Sequence, residues 1–283
     1  MTEDTPEDTG WFDDIAPGDV TAAAIAIRDG SATESCAWPE MAIDAGFATD
    51  EADYYDRLRA ATLQATDQAV TEQERADDRQ LLHAVRAMDD ADAMANELAE
   101  RVAEWAGTRF DDAGTGVEYA RELATREPTD PTEERLIGLA RRVGELAEEA
   151  TSLRRHIQST APDVAPNLSA LAGPVLAARL ISLAGGLESL AKKPSGTVQV
   201  LGAEDALFAH LQGSAPSPKH GVIYTHEYVR GTDPDERGSA ARALAGKLTI
   251  AARIDHYSGD RRPELDTELD DRIATIRSRG EQA

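Results

Sequence analysis

Cysteine occurs once, at Cys36, which excludes an intramolecular disulfide framework and a cysteine-rich zinc site. Aromatic residues make up only 5% of the chain, and many of its apolar positions are alanine, a composition of helices rather than sheets. No apolar run approaches the roughly 18 residues that a membrane-crossing helix needs. Met1 to Asp8 is acidic where a signal peptide would be basic. These absences make a soluble protein in a reducing cytoplasm the default expectation, with no membrane partner. Positive charge is also scarce: 29 basic residues stand against 53 acidic ones, a net charge of −24 over 283 residues. A uniformly acidic surface repels phosphate backbones, so the composition as a whole argues against a nucleic-acid partner. Abundant Asp and Glu with few Lys fit a high-salt cytoplasm, where the self-repulsion is screened.

The average conceals a split. Between Ala161 and Arg262 eleven basic residues meet ten acidic ones, a net of +1, so the remainder carries −25. One segment has stayed neutral inside an acidic chain, and for that segment an anionic partner is again open.

Residues 1–50 read as a small, loop-rich module with one or two short strands, anchored by Trp11, Phe12, Ile25, Ile27 and Trp38; a partly disordered acidic arm is the alternative. From Phe47 to Ala106 there is neither glycine nor proline, which predicts long helix. Within it Leu81, Ala84, Met88, Ala91, Ala95, Leu98, Val102 and Trp105 recur in alternating steps of three and four, the apolar seam of a coiled coil. Glycines and prolines from Gly107 to Pro131 break the chain. A second seam then follows in Leu136, Leu139, Val143, Leu146, Ala150, Leu153 and Ile157. The two read as an antiparallel hairpin over 51–160, a spacer or dimeriser, against the plainer alternative of a bundle inside one globule. Pro162 and Pro166 end the second arm. From Leu168 the chain turns to Gly, Ala, Leu and Ile, with buried helices over Leu171–Ala191 and Ser239–Ile254 separated by loop. The tail, 263–283, is a charged amphipathic helix at most.

Enzymatic centres are hard to find. Asp112 to Gly116 resembles an acidic-Gly-x-Gly cofactor loop, but no buried strand precedes it, so it reads as plain loop. His83, His156, His210, His220, His226 and His256 show no metal-ligand spacing. No nucleophile elbow is present. The neutral segment is richer. Arg179, Lys192 and Lys193 flank a buried helix, Gly202-Ala203-Glu204-Asp205 opens another, and Lys219, His220, Tyr224 and His226 share a loop. Arg230, Arg237, Arg242, Lys247 and Arg253 follow. Basic donors beside helix starts, with rings for stacking, suit phosphates and splayed bases. The alternative is that these cations pair with the segment's own carboxylates. Arg154, on the arm, is expected to be indifferent to RNA.

At these residues the sequence resembles the NOP-domain family, scaffold subunits of box C/D small ribonucleoproteins. The resemblance runs through Ala165-Pro166-Asn167-Leu168 and Gly173 to Leu187, then Lys192 to Glu204 with its Gly-Ala-Glu motif. It continues through Pro218 to Tyr224, Arg237 to Leu248 and Ala251 to Asp255. A weaker match from Met88 to Trp105 resembles the family's coiled-coil arm. Asp205 stands where the family's archaeal motif has Lys, with Lys192 and Lys193 available to compensate. The resemblance implies a mainly α chain: a small N-terminal module, a long antiparallel coiled-coil hairpin and an all-helical C-terminal NOP domain over 161–262. It implies a non-catalytic archaeal scaffold for guide-RNA-directed 2′-O-methylation, whose N-terminal module holds a fibrillarin-type methyltransferase. S-adenosylmethionine would sit on that partner, and no cofactor or metal on this chain. The implied RNA set is Arg179, Lys192, Lys193, Gly202–Asp205, Lys219, His220, Tyr224, His226, Arg237, Arg242, Lys247 and Arg253. It would clasp a box C/D guide RNA with a small ribosomal-protein-like kink-turn-binding protein. Leu81, Met88, Leu98, Val102, Leu136, Leu139, Val143, Leu146, Leu153 and Ile157 would pair two copies into a homodimer. A coiled-coil assembly protein that never binds RNA is the competing reading.

Overall fold

A computed structural model describes residues 10–31 and 36–280, and all regular structure among them is helical. Contacts divide the chain into two compact units, one ending at Ala76 and one beginning at Asp77.

The first unit holds α1 (Val20–Asp29), α2 (Trp38–Asp44) and α3 (Glu51–Arg75). Helix, not strand, is the regular structure in the described part of the module expected to carry short strands; its alanine run Ala22–Ala24 favours helix and lacks the side-chain bulk that pairs across a sheet. Phe12, Phe47 and Tyr54 are buried together with Ala42 and Ala48, with Trp11 and Trp38 packed against them. The indole of Trp11 donates to the Tyr54 hydroxyl at 3.2 Å, and Arg57 lies over the Phe47 ring at 5.5 Å. Of the expected anchors Ile25 is instead 45% exposed. Residues 1–9 and 32–35 of that module lie outside the described residues.

The second unit begins with α4 (Asp77–Gly107), which returns through α5 (Gly116–Leu123) into α6 (Pro131–Val164). The breaker-free stretch is therefore two helices rather than one, separated at Ala76. Asp130 starts α6 by accepting the N–H groups of Thr132 and Glu133, with Pro131 at the first helical position, where its missing N–H costs nothing. α4 and α6 pack along their length, as the two seams require. Leu81, Met88, Val102, Leu136, Val143 and Ile157 are each at most 2% exposed; Leu98, Leu139 and Leu153 pack on the same cores, and Leu146 is half-buried. Within this chain each seam is covered by the other arm. The distal end closes with α5, whose Tyr119, Ala120 and Leu123 complete a core with Ala99, Val102, Leu136 and Ile137.

Pro162 does not stop α6, which runs two residues further; the chain turns at Ala165, where the following Pro166 disfavours the helical conformation. A head then assembles from α7 (Pro166–Ala172), α8 (Pro174–Ala184), α9 (Leu187–Lys192), α10 (Ser195–Val200) and α11 (Glu204–Leu211). A 3-10 turn at Val222–Thr225, α12 (Glu227–Arg230), α13 (Arg237–Tyr257) and α14 (Glu264–Gly280) complete it. The single helix expected over Leu171–Ala191 is three, because Gly185 and Gly186 take φ of 86° and 123° and Gly173 takes 78°. α13 is the central post: Leu244, Ala245, Leu248, Ala251 and Ala252 are fully buried against the surrounding helices. The tail is a wall of this core rather than an appendage, since Leu265, Leu269, Ile273 and Ile276 of α14 are buried in it. Among the described residues no single helix is long and apolar enough to cross a membrane; α7 with α8 passes only as a pair bent by 116°, and most of its residues lie inside this core.

Candidate nucleic-acid interface

Two short segments of the neutral stretch are laid side by side. The N–H of Gly221 donates to the Gln199 carbonyl and that of Val222 to the Leu201 carbonyl, both at 2.8 Å, while the Gln199 amide donates to the Lys219 carbonyl at 2.7 Å. The approach is close enough that a Cβ at Gly221 would fall 2.1 Å from the Leu201 carbonyl oxygen. Gly202 sits at φ +81°, with the side chains of Leu183 and Val222 at 3.3 Å from where its Cβ would be. Its N–H donates to the exposed Glu204 carboxylate at 2.8 Å, so Glu204 closes the turn. The Gly-Ala-Glu turn thus rests on the Lys219–Tyr224 loop by backbone bonds, and both glycines are dictated by that contact.

On this platform the His220 ring stacks on Tyr224, centroids 4.6 Å apart at 22°, and the Arg237 guanidinium lies 5.7 Å from the Tyr224 ring centroid. The Lys219 stem runs past Gly238 in the first turn of α13, its Cδ 3.9 Å from where a Cβ would be. Burial holds the His220 imidazole below the ordinary histidine range, and the nearby Arg237 and Lys219 charges push the same way. The result is a stacked imidazole–phenol pair with the Arg237 guanidinium over it, Arg237 also donating to the Thr232 carbonyl at 3.1 Å. Arg242, further along α13, is exposed and makes no hydrogen bond or ion pair among the described residues.

The remaining candidates are held elsewhere. Arg179 pairs with Asp89 of α4, Lys192 with Glu188 one helical turn back, and Lys247 with Glu268 of α14. Arg253 donates to the Ala191 carbonyl at 3.0 Å and closes the end of α9. Lys193 caps that same end. Asp205 is exposed in the first turn of α11. His226 is a structural residue: its Nδ1 accepts the Tyr228 N–H at 3.1 Å, so Nε2 carries the proton given to the Leu171 carbonyl at 3.0 Å. With both nitrogens engaged it offers nothing outward, and burial depresses its pKa.

Sequence reasoning gave no role to Asn167 and Asp255. The buried Asp255 carboxylate accepts the N–H groups of Asn167 and Leu168 at 3.0 and 2.8 Å and the Asn167 amide at 2.6 Å. Asn167 in turn donates to the Asp260 carbonyl and accepts from the Arg262 N–H. This knot fixes the start of α7 to α13, the helix that carries Arg237 and Arg242. Its signal was a carboxylate four residues past Ala251 on the apolar face of α13, a register that demands buried donors.

A helical hairpin bearing a helical head, with a glycine-built turn set beside cations and rings, defines a mainly α protein of hairpin-and-head architecture. The chain belongs to the Nop family: the family model, described as the snoRNA binding domain, fibrillarin, matches residues 115–277. An uncharacterized NOP5 family protein of Methanocaldococcus jannaschii is 44% identical over 165 residues, covering 58% of this chain and 40% of that protein. Human nucleolar protein 58 is 31% identical over 244 residues, 72% of this chain and 46% of its own length. The chain thus spans less than half the length of these curated relatives. Among solved structures, a chain in the crystal structure of a fibrillarin/Nop5p complex matches with a TM-score of 0.52 and 26% identity, over 90% of this chain and 92% of that one.

Proposed function

We propose that this chain is a non-catalytic scaffold of a box C/D ribonucleoprotein, which directs guide-RNA-dependent 2′-O-methylation by joining a fibrillarin-type methyltransferase to a kink-turn RNA. The observation that carries the reading is the Gly-Ala-Glu turn braced on the Lys219–Tyr224 loop, within a family model described by snoRNA binding and fibrillarin. The methyltransferase, the only S-adenosylmethionine carrier in the assembly, docks on the N-terminal module, 1–50 with α3 behind it. The head, 161–262 buttressed by α14, meets the RNA together with a small ribosomal-protein-like subunit. Two copies pair through surfaces of the arm left outside its seams, and the assembly works in a cytoplasm of high salt. Because the chain carries −24, RNA contact is local: hydrogen bonds and stacking outweigh long-range steering.

A gel shift with kink-turn RNA and the small subunit tests this. Arg242→Glu exchanges a donor for a repelled charge and should weaken assembly more than tenfold. Arg142→Glu, on the solvated face of the arm, should leave it unchanged. Equal behaviour of the two would favour an assembly protein that does not touch RNA.

A further inference from the structure

A cavity of about 360 Å³ opens where the arm meets the head, between α6, the α7–α8 corner and the 3-10 turn. Arg154 and Gln158 line it from α6, Arg179 from α8, and Thr225 from the end of the 3-10 turn. Arg154 and Gln158 are exposed and have no hydrogen-bond or ion-pair partner among the described residues. Arg179 uses one guanidinium nitrogen on Asp89 and keeps its others. Gly173, Pro174, Val175 and Leu176 also line it, and no side chain caps α8 there, so the first-turn N–H groups of Val175 and Leu176 have no intrahelical acceptor. Two guanidinium groups, an amide and backbone donors therefore converge on one opening, in a protein with 53 carboxylates of which none lines it.

We propose that this cavity is a second RNA subsite, which seats a backbone phosphate of the guide RNA at the arm–head junction. An anion is what the donor set recognises: planar guanidinium forks match phosphate oxygens, and the α8 start adds positive potential. RNA is the source argued for because the opening adjoins the Lys219–Tyr224 platform: Thr225, which lines it, follows Tyr224 in the same 3-10 turn. The inference rests on the reading of the chain as a guide-RNA scaffold. It also reverses the expectation that Arg154 is indifferent to RNA.

The test uses the full chain with guide RNA and the small kink-turn subunit, titrated over a range of salt. Arg154→Ala should weaken assembly roughly tenfold and flatten the log–log salt dependence by about 0.7–0.9, one phosphate contact. Arg154→Lys should keep the slope and recover only part of the affinity. Arg142→Ala lies twelve residues earlier on α6, about 18 Å along its axis, and should change neither. Equal thermal midpoints for the exposed-site variants confirm that folding is untouched. Unchanged affinity and slope for Arg154→Ala, with wild type binding normally, would overturn the subsite. Inorganic phosphate, matched to chloride in ionic strength, provides the other arm. If it raises the thermal midpoint of wild type but not of Arg154→Ala while RNA binding is unaffected, the site takes free anion and the RNA assignment is overturned. If wild type does not assemble on RNA at all, the functional reading itself falls, and the subsite with it.

Discussion

Gly221 is the residue on which the platform depends. A methyl group there would collide with carbonyl atoms of Val200 and Leu201, backbone that has no room to yield without parting the two segments. Gly221→Ala should cost several kcal/mol, in the range of about 1–3 for each backbone hydrogen bond left unmade, and should abolish RNA assembly while leaving the arm helical by circular dichroism. Below the platform, His226 ties the 3-10 turn and α12 to α7 only as the neutral imidazole. Protonating Nδ1 would turn the acceptor of the Tyr228 N–H into a donor. Because burial lowers its folded pKa, the unfolded chain takes up this proton first as the pH falls. The stabilisation is complete above about 6.5, the unfolded value, and is lost as the pH drops below it. Denaturant midpoints should therefore fall between pH 7 and pH 5. His226→Gln should start less stable and show a shallower fall, with the remainder carried by His220, whose pKa is lowered in the same direction. An identical pH profile for the variant would contradict this.

At the scale of elements, the arm is held by its own seams. Leu136 is fully buried between α4, α5 and α6, so Leu136→Ala should destabilise the protein by about 2–5 kcal/mol, measured by urea unfolding. The same seams were the most legible part of the sequence: a three-four spacing sustained over seven or eight positions has few interpretations, and the antiparallel pair followed from it. What a seam does not encode is whether its partner is the same chain or another. Intrachain pairing answers that, because the connection through α5 is short enough to bring α6 back along α4. The head was legible as composition but not as separate helices: Leu171–Ala191 is predominantly apolar, and it breaks where Gly173, Gly185 and Gly186 take positive φ. Several of the basic candidates have partners within the fold, for a related reason. Periodicity puts Lys247 and Arg253 on faces of α13, yet their partners, Glu268 and the Ala191 carbonyl, come from elements distant in sequence. The same holds for α14. Tyr228 hydrogen-bonds Asp270, which helps push its phenol up to about 12, and Arg277 donates to the Glu227 carbonyl at 3.1 Å and the Thr232 hydroxyl at 3.2 Å. Leu269→Asp should accordingly unfold the head, not merely free a tail, and loss of protease resistance from Pro166 onward would register it.

On the scale of the whole molecule, charge and shape divide the labour. The acidic arm and N-terminal module leave one neutral head as the place where an anion is tolerated, and the glycine-built platform there is set beside cations and rings. Assembly should consequently survive high salt better than that of a basic RNA-binding protein, because few phosphates are neutralised and stacking is unscreened. The most direct measurement of the central claim is reconstitution at high salt from four purified components: this chain, the fibrillarin-type methyltransferase, the small kink-turn subunit and a box C/D guide RNA. The account predicts one complex containing all four, guide-directed 2′-O-methylation of a matching target, and loss of both when Arg242→Glu or Gly221→Ala replaces the wild-type chain. Methylation that proceeds equally well with those variants, or with the chain left out, would contradict it.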